Sequence, residues 1–501
     1  MPSPPPRRLA YRRDAGNIIV KRLDSSVKPP WRGGAESADC RRCSSISACH
    51  PAMMSAGAIA RRARAALSGI MWSRKGELCP YSTSYAVRRR DPVLVCPAAP
   101  TPRETKPLSD LDDNDLMRMH MSVAFFYRGR KDGIHPAGVI RRALAKALVP
   151  YYPLAGRLRE MEGRKLVVDC TGEGVLFVQA EADVQLADLD AAGLPFPGWD
   201  QLLFQVEGSS GLLNTPLMLI QVTRLLCGGF VLALRFSHTM CDGMGIAQFM
   251  NAVSELARGL PCMTVTPVWS RELIMARSPA MPRRPELDVL RPPAPAGDMA
   301  TRSFTFSHSD VAKIKNSVTA TTFEALTAFL WRARTAALQL PPGEHAPLAF
   351  PVNIRGAGVM NLPAGYYGNA APPSTALVGS AALCQGSLGD AVTLVRRAKA
   401  AVTTEYVRST VDEMVLQDRR VFVPANMLAV SDARRIGLER VDFGWGKPVF
   451  AGPAEPLVVG LSYFIAVKDR GGEDVVSVPV VLPKGAMDRF ATEVERSLEE
   501  A

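Results

Sequence analysis

From about residue 84 onward, the apolar residues of this chain follow two different periods. Alternating or continuous apolar runs predict strands, among them two expected hairpins, KLVVDC with VLFVQA (165–180) and LMLIQVTRL with FVLALRFSH (217–238). Apolar residues at helical spacing predict helices over 135–149, 321–338 and 392–415. This mixture of strands and helices predicts an α/β protein with mixed (α+β) sheets.

One proline-rich segment interrupts the pattern. Residues 278–297 contain six prolines in twenty positions, which is typical of a crossover between domains rather than of a packed element. We therefore expect an N-terminal domain over 84–267, a crossover over 268–300 and a C-terminal domain over 301–501. Both domains mix α and β segments, and the sequence shows no internal repeat.

The first 83 residues differ from the rest of the chain in composition and charge. They contain 15 Lys and Arg against 5 Asp and Glu, whereas residues 84–501 contain 45 against 43. The net charge of +12 thus lies mostly in this segment, and the nearly neutral remainder argues against a nucleic-acid-binding protein. We predict a disordered basic extension over 1–83. The alternatives are an organelle transit peptide with an amphipathic helix over 55–71, or sequence upstream of the true start.

Neither a metal site nor a membrane span is expected. Cys40, Cys43, Cys49 and His50 superficially resemble a metal knuckle, but a second ligand pair with zinc spacing is missing. No run of eighteen apolar residues is present. Six further cysteines are scattered in apolar surroundings, as expected for reduced thiols. We expect a cytoplasmic monomer that binds no nucleic acid, crosses no membrane and holds no permanent cofactor.

The strongest chemical signal is His238, at the end of the predicted strand FVLALRFSH and just before Asp242 and Gly243. An imidazole, with an ordinary pKa near ~6.5, is a natural general base at neutral pH. The chain has no G-x-S-x-G nucleophile motif, phosphate loop or dinucleotide-binding glycine pattern to suggest another chemistry. Taken alone, His238 could also be a satisfied core histidine.

A second motif, DFGWG (442–446), lies about two hundred residues downstream. By itself it could be a glycine-rich turn around a packed tryptophan. Together, HTMCDG (238–243) and DFGWG resemble the paired motifs of the plant BAHD acyltransferase family. YYPLAGRL (151–158) and YYGNA (366–370) are similar to two further signatures of that family.

The resemblance extends over about 84–501 and is strongest to the benzyl alcohol O-benzoyltransferase-like clade, for example in TFEALTAFLWRARTAAL. It implies two chloramphenicol-acetyltransferase-like domains with a solvent channel between them. It also implies acyl-CoA as co-substrate and a small alcohol or amine as acceptor. Position 237 is serine, whereas the related condensation domains carry a second histidine there, so we expect a free CoA thioester rather than a carrier-bound donor.

The resemblance assigns roles to individual residues. His238 would be the general base, and Trp445 is a candidate donor to the oxyanion. Asp442 would be either an architectural residue or a catalytic residue beside His238. Asp242 would form a salt bridge with Arg355 that shapes the loop. The glycines assigned to loop shape are Gly243, Gly444 and Gly446. The candidates for the coenzyme side are Thr321, Thr322, Tyr367 and Asn369, for which a helix cap and a tight turn are the alternative interpretations.

The expected reaction is transfer of an acyl group, with benzoyl or acetyl favoured, to the hydroxyl of a small alcohol by direct attack. It would yield an ester and free CoA. Two alternatives stay open: N-acylation of an amine by the same mechanism, and a non-catalytic acyl-CoA-binding relative.

Overall fold

The computed structural model describes residues 85–501 apart from 131–132, 193–195, 197, 282–297, 422, 455–459, 470 and 501, together with the backbone of two strands near the N-terminus.

The chain divides into two units, Met1–Ser82 and Thr83–Ala501. In the first unit, β1 (Leu9–Asp14) pairs antiparallel with β2 (Asn17–Arg22). The sequence predicts disorder over 1–83, whereas residues 9–14 and 17–22 form strands; Ile18, Ile19 and Val20 favour the extended backbone of β2. The Cys40–His50 cluster and the helix expected over 55–71 lie outside the described residues.

In the second unit, a seven-stranded sheet has the order β16-β6-β11-β10-β9-β3, and β4 also pairs with β9. Its strands are β3 (Val87–Arg89), β4 (Val93–Val95), β6 (His120–Tyr127), β9 (Val175–Ala182), β10 (Met218–Arg224), β11 (Phe230–Ser237) and β16 (Phe450–Pro453). The expected hairpin of β10 and β11 is confirmed by their antiparallel register, which opposes Met218 and Phe236.

The other expected hairpin is wrong. β8 (Leu166–Asp169) lies between β5 (Thr105–Pro107) and β7 (Arg157–Glu160) in a three-stranded sheet, while β9 joins the seven-stranded sheet beside β10. β9 is buried on both faces at its start, which suits an interior strand of the larger sheet. The five-residue connection between β8 and β9, residues 170–174, therefore carries the chain from one sheet to another.

The second large sheet has six strands in the order β12-β18-β17-β15-β13-β14. They are β12 (Met299–Phe306), β13 (His345–Pro351), β14 (Pro373–Gly379), β15 (Leu428–Asp432), β17 (Leu461–Lys468) and β18 (Asp474–Pro483). Its core is apolar and contains Phe350, Phe464 and Trp331.

Helices cover these sheets. They are α1 (Pro136–Ala147), α2 (Leu186–Ala192), α3 (Trp199–Leu202), α4 (Gly243–Ala257), α5 (His308–Asn316), α6 (Thr322–Leu338), α7 (Ser380–Gln385), α8 (Leu388–Ala400), α9 (Thr404–Leu416) and α10 (Lys484–Glu499). The 3-10 helices are Tyr152–Ala155, Glu162–Arg164, Arg271–Ile274 and Leu438–Arg440.

The helices expected over 135–149 and 321–338 are confirmed as α1 and α6. The one expected over 392–415 is instead two helices, α8 and α9. Thr403 separates them, because its hydroxyl accepts from the backbone N–H of Tyr406 at 3.2 Å and caps a new helix. Among the described residues, no helix is long and apolar enough to span a membrane.

The two cores do not divide at residue 301 as the sequence suggests. β16 pairs with β6, and Leu438, Val441 and Phe443 pack in the core of the seven-stranded sheet. The DFGWG motif therefore belongs to the core of the first sheet, although it follows most of the second sheet in the chain. A boundary drawn from a proline-rich segment does not detect a later segment that returns to the first sheet.

Candidate active site

His238 follows directly on β11 and begins the turn that leads into α4. Its backbone N–H donates to the carbonyl of Met119 at 2.9 Å, which extends the strand pairing by one residue. The N–H of Met240 donates back to the carbonyl of Ser237 at 3.1 Å, and the hydroxyls of Ser237 and Thr239 are 2.7 Å apart. The turn thus has a fixed backbone and presents a partly buried imidazole.

The imidazole of His238 has no carboxylate partner among the residues that the structure describes. Its Nδ1 atom is buried and without a hydrogen-bond partner there. Asp242, four residues later, directs its carboxylate elsewhere, so the two residues do not form a catalytic dyad. The imidazole is held by the backbone of its turn rather than by an acidic side chain.

Asp242 and Arg355 form the expected salt bridge. The two guanidinium nitrogens of Arg355 donate to the two carboxylate oxygens at 2.7 and 2.9 Å. Asp242 also accepts from the backbone N–H of Ala370 at 3.0 Å and of Gly245 at 2.9 Å, and thereby caps α4. Burial alone would raise the pKa of Asp242, but Arg355 and the two N–H donors outweigh it, so the pKa lies below its usual range.

A second buried carboxylate, Asp112, holds the same turn, although no sequence motif points to it. Asp112 accepts from the side-chain amide of Asn369 at 2.8 Å and its backbone N–H at 2.9 Å, and it pairs with Arg271 at 3.2 Å. The Asn369 amide also donates to the carbonyl of His238 at 2.8 Å, and Arg271 donates to that of Met240 at 2.6 Å. We call Asp112, Arg271 and Asn369 the Asp112 clamp.

The sequence carries only a weak signal for this cluster. Asp112 lies in the acidic turn LSDLDD, and such turns are normally solvated, yet its side chain is fully buried. Arg271 follows Trp269 in PVWSREL, and it too is almost fully buried. A charged residue next to apolar and aromatic neighbours is the one feature that could have suggested burial.

The residues proposed for the coenzyme side take structural positions. Asn369 is buried in the Asp112 clamp, and Tyr367 is buried in the first core, where burial raises the pKa of its hydroxyl. Thr321 caps α6, since its hydroxyl accepts from the N–H of Glu324 at 3.2 Å, and Thr322 is the first residue of that helix. Thr321 thus takes the position of a helix cap, and a role of the four residues on the coenzyme side stays a prediction.

The DFGWG motif lies at the opposite end of β11 from His238. Trp445 packs edge-on against Phe230, the first residue of β11, with ring centroids 5.5 Å apart. Phe230 and His238 are eight positions apart along the strand, which corresponds to a distance of roughly 26 Å at 3.3 Å per residue. The expectation that Trp445 donates to the oxyanion is therefore wrong, because its indole cannot reach a carbonyl held at His238.

Asp442 is also an architectural residue. Its Oδ1 accepts from the backbone N–H of Gly444 at 2.7 Å and of Gly446 at 2.9 Å. Both glycines have positive φ, +99° and +82°, which explains their presence in the loop. The hydroxyl of Tyr127 donates to the carbonyl of Val441 at 2.7 Å and ties this loop to β6. A catalytic role for Asp442 beside His238 is not compatible with this position.

Replacing Trp445 with alanine should therefore affect stability rather than catalysis. We expect the free energy of unfolding to fall by about 2 kcal/mol, because a partly buried aromatic side chain loses its contacts with Phe230 and Arg130. The kcat at a temperature below the transition should stay close to that of the parent. Thermal unfolding and initial rates measured on the same preparation check this. A large fall in kcat without a fall in Tm would contradict it.

No competing site is formed by His120, His135 or Cys241. His135 caps α1 by accepting from the N–H of Ala137 at 3.3 Å, and burial beside Arg235 lowers the pKa of His120 to about 4. Burial raises the pKa of the Cys241 thiol, so it is a poor nucleophile. Among the described residues, no group of three or more His, Cys, Asp and Glu side chains could hold a metal ion.

Comparisons with known proteins show what this chain is similar to. A family model described as the Transferase family matches residues 86–497. The benzyl alcohol O-benzoyltransferase of Nicotiana tabacum is 46% identical over 435 residues, which cover 83% of this chain and 94% of the tobacco protein. The (Z)-3-hexen-1-ol acetyltransferase of Arabidopsis thaliana is 44% identical over 434 residues, or 82% of this chain and 95% of that protein.

A solved structure is similar at lower identity. The crystal structure of vinorine synthase matches with a TM-score of 0.65 and 21% identity, over 82% of this chain and 98% of that one. At this identity the likeness shows the fold alone, and it confirms the fold class expected from the sequence.

Proposed function

Because the chain belongs to the Transferase family of BAHD acyltransferases, we propose that it transfers an acyl group from a CoA thioester to the hydroxyl of a small alcohol. The observation that carries this proposal is His238, at the end of β11 on a turn whose backbone is held by two buried carboxylate clusters. Acyl-CoA serves as a co-substrate. We also propose that the protein acts in the cytoplasm, in keeping with its scattered cysteines, and that it is a monomer, as the resemblance to the family implies.

His238 acts as the general base in the proposed mechanism. Since Nδ1 is buried, Nε2 is the nitrogen that faces the acceptor, and it takes the hydroxyl proton as the oxygen attacks the thioester carbonyl. The carbon–oxygen bond forms, the carbonyl becomes an oxyanion, and its collapse breaks the carbon–sulfur bond. The proton on His238 then passes to the leaving thiolate, which gives an ester and free CoA. No acyl-enzyme is required, in agreement with the buried thiol of Cys241.

The donor and acceptor follow from the relatives. Benzyl alcohol O-benzoyltransferase and (Z)-3-hexen-1-ol acetyltransferase act on small primary alcohols according to their names, with a benzoyl and an acetyl group respectively. We propose benzoyl-CoA or acetyl-CoA as donor and an alcohol of similar size as acceptor. Pocket shape decides between such substrates, and a single methylene changes discrimination by only about 1–3 kcal/mol.

Release of free CoA by the full-length chain tests this function. We expect release from benzoyl-CoA or acetyl-CoA that depends on an added alcohol, with benzyl alcohol, hexenol and benzylamine as acceptors and a reaction without acceptor as control. Faster release with benzylamine than with the alcohols would favour N-acylation. Binding of CoA esters without release for any acceptor would favour a non-catalytic acyl-CoA-binding protein.

A further inference from the structure

The Asp112 clamp brings three separate parts of the chain to the turn that carries His238. Asp112 precedes β6, Arg271 lies in the crossover between the two large sheets, and Asn369 lies between β13 and β14. Asp112 is fully satisfied, since Ser109 donates to its second oxygen from both the backbone N–H, at 3.1 Å, and the hydroxyl, at 2.7 Å. A buried carboxylate with this many donors fixes the direction of each of them.

We propose that the Asp112 clamp positions the imidazole of His238 for proton transfer. Asp112 orients Arg271 and Asn369. Arg271 Nη2 donates to the carbonyl of Met240, and the side-chain amide of Asn369 donates to that of His238. Those two carbonyls lie on either side of Thr239, so the clamp holds both ends of the short turn that sets the imidazole direction. The proposal rests on the role of His238 as general base, and it makes the three residues positioning residues rather than catalytic ones.

The surroundings of Arg271 leave its guanidinium little freedom. It lies over the rings of Trp269, Tyr366 and Tyr367, at 4.5, 5.3 and 5.2 Å from their centroids. Gly368 leaves the space that the guanidinium fills, since a Cβ at that position would lie 1.1 Å from Arg271 Nη1. A planar guanidinium that is held on several sides can fix the position of the turn that carries His238. This matters because a displacement of a reacting group by about 1 Å can lower the reaction rate by about 10²-fold.

Two substitutions disturb the clamp while His238 itself is not replaced. Asn369→Ala removes the amide that reaches the His238 carbonyl and keeps the backbone N–H that binds Asp112. Gly368→Ala displaces the guanidinium of Arg271 without removing it. For both variants we expect kcat to fall by about 10–100-fold, while the KM values for acyl-CoA and alcohol stay close to those of the parent, because the base is misplaced and not the substrates.

Arg277, in the same crossover as Arg271, provides a matched control. Arg277 pairs with the buried Asp412 at 2.7 Å and with Glu405 at 3.0 Å. It makes no described contact with the His238 turn, so Arg277→Ala should lower Tm and leave kcat unchanged. If Arg277→Ala and Asn369→Ala reduced kcat in the same proportion to their loss of Tm, the clamp would be a stabilising element only.

A double substitution separates this proposal from that of the general base. If Asn369 acts through His238, the His238→Ala/Asn369→Ala enzyme is no slower than His238→Ala alone. If the two losses multiply instead, the clamp acts independently of His238 and the proposal is overturned. If His238→Ala retains full activity, the proposed function has failed rather than the clamp.

Chemical modification provides a readout that needs no turnover. Diethyl pyrocarbonate carbethoxylates imidazoles, and the rate at His238 can be followed by mass spectrometry of its peptide in the full-length chain. We expect this rate to change in Asn369→Ala and Gly368→Ala but not in Arg277→Ala. Equal rates in all four proteins, parent included, would show that the clamp does not set the position of the imidazole.

Discussion

Replacing His238 with alanine is expected to lower kcat for alcohol acylation by about 10²–10⁴-fold, the usual contribution of a positioned general base. The KM values should change little, because the imidazole of the proposed mechanism works in the transition state rather than in binding. Initial rates of CoA release, measured with the best donor and acceptor of the panel, check this expectation.

Stability and a second histidine provide the controls for this experiment. His238 accepts no structural hydrogen bond through Nδ1 among the described residues, so its loss should leave Tm nearly unchanged. His308→Ala, at an exposed imidazole at the start of α5, should retain full activity. A folded His238→Ala enzyme with the rate of the parent would rule out His238 as the base.

The local elements of the fold were largely predictable, because they depend on residues close together in the chain. α1 and α6 follow from apolar spacing, and the β10–β11 hairpin follows from two apolar runs joined by the glycines at 228 and 229. The prediction that β8 and β9 pair in a hairpin was wrong, because strand pairing depends on residues that are far apart in the chain. The pattern identified both strands correctly, but it does not say which partner each strand takes, and that choice depends on packing against residues far away.

The candidate site shows the same division between local and distant information. The resemblance to the family implied the Asp242–Arg355 salt bridge, and the two side chains form it. The role of oxyanion donor was wrong for Trp445, because the sequence does not give the distance between the DFGWG and HTMCDG motifs in the folded protein. That distance depends on β16 and the loop before it returning to the first sheet.

The Asp112 clamp was missed for a related reason. An aspartate in a polar turn and an arginine in a loop are each typical of solvent-exposed surface. Only the folded structure shows that they meet inside the protein, beside Asn369. Pairs that form across 159 residues of chain leave no local pattern in one sequence.

The Asp242–Arg355 pair should give the largest effect on stability. Asp242→Asn or Arg355→Met leaves the other member without its partner in a mostly buried site, so we expect each to cost about 3–5 kcal/mol in the free energy of unfolding. The pair is coupled, and the double variant Asp242→Asn/Arg355→Met should therefore cost less than the sum of the two. Urea unfolding of the parent and the three variants at pH 7 measures these differences.

The pH dependence of this loss in the free energy of unfolding shows whether the loss is electrostatic. Arg355 and the N–H groups of Ala370 and Gly245 hold the pKa of Asp242 below its usual range, despite its burial. The stabilisation is therefore complete above the unfolded pKa, near ~4, and is lost as the pH falls through the lower folded value. The gap in stability between the parent and Asp242→Asn should be constant from pH 7 to 5 and shrink in more acidic buffers. A difference in stability that stayed the same in acid would assign the effect to packing.

Because the pair holds the start of α4 and the turn before it, lower activity in these variants would indicate a displaced His238 and not a proton carried by Asp242.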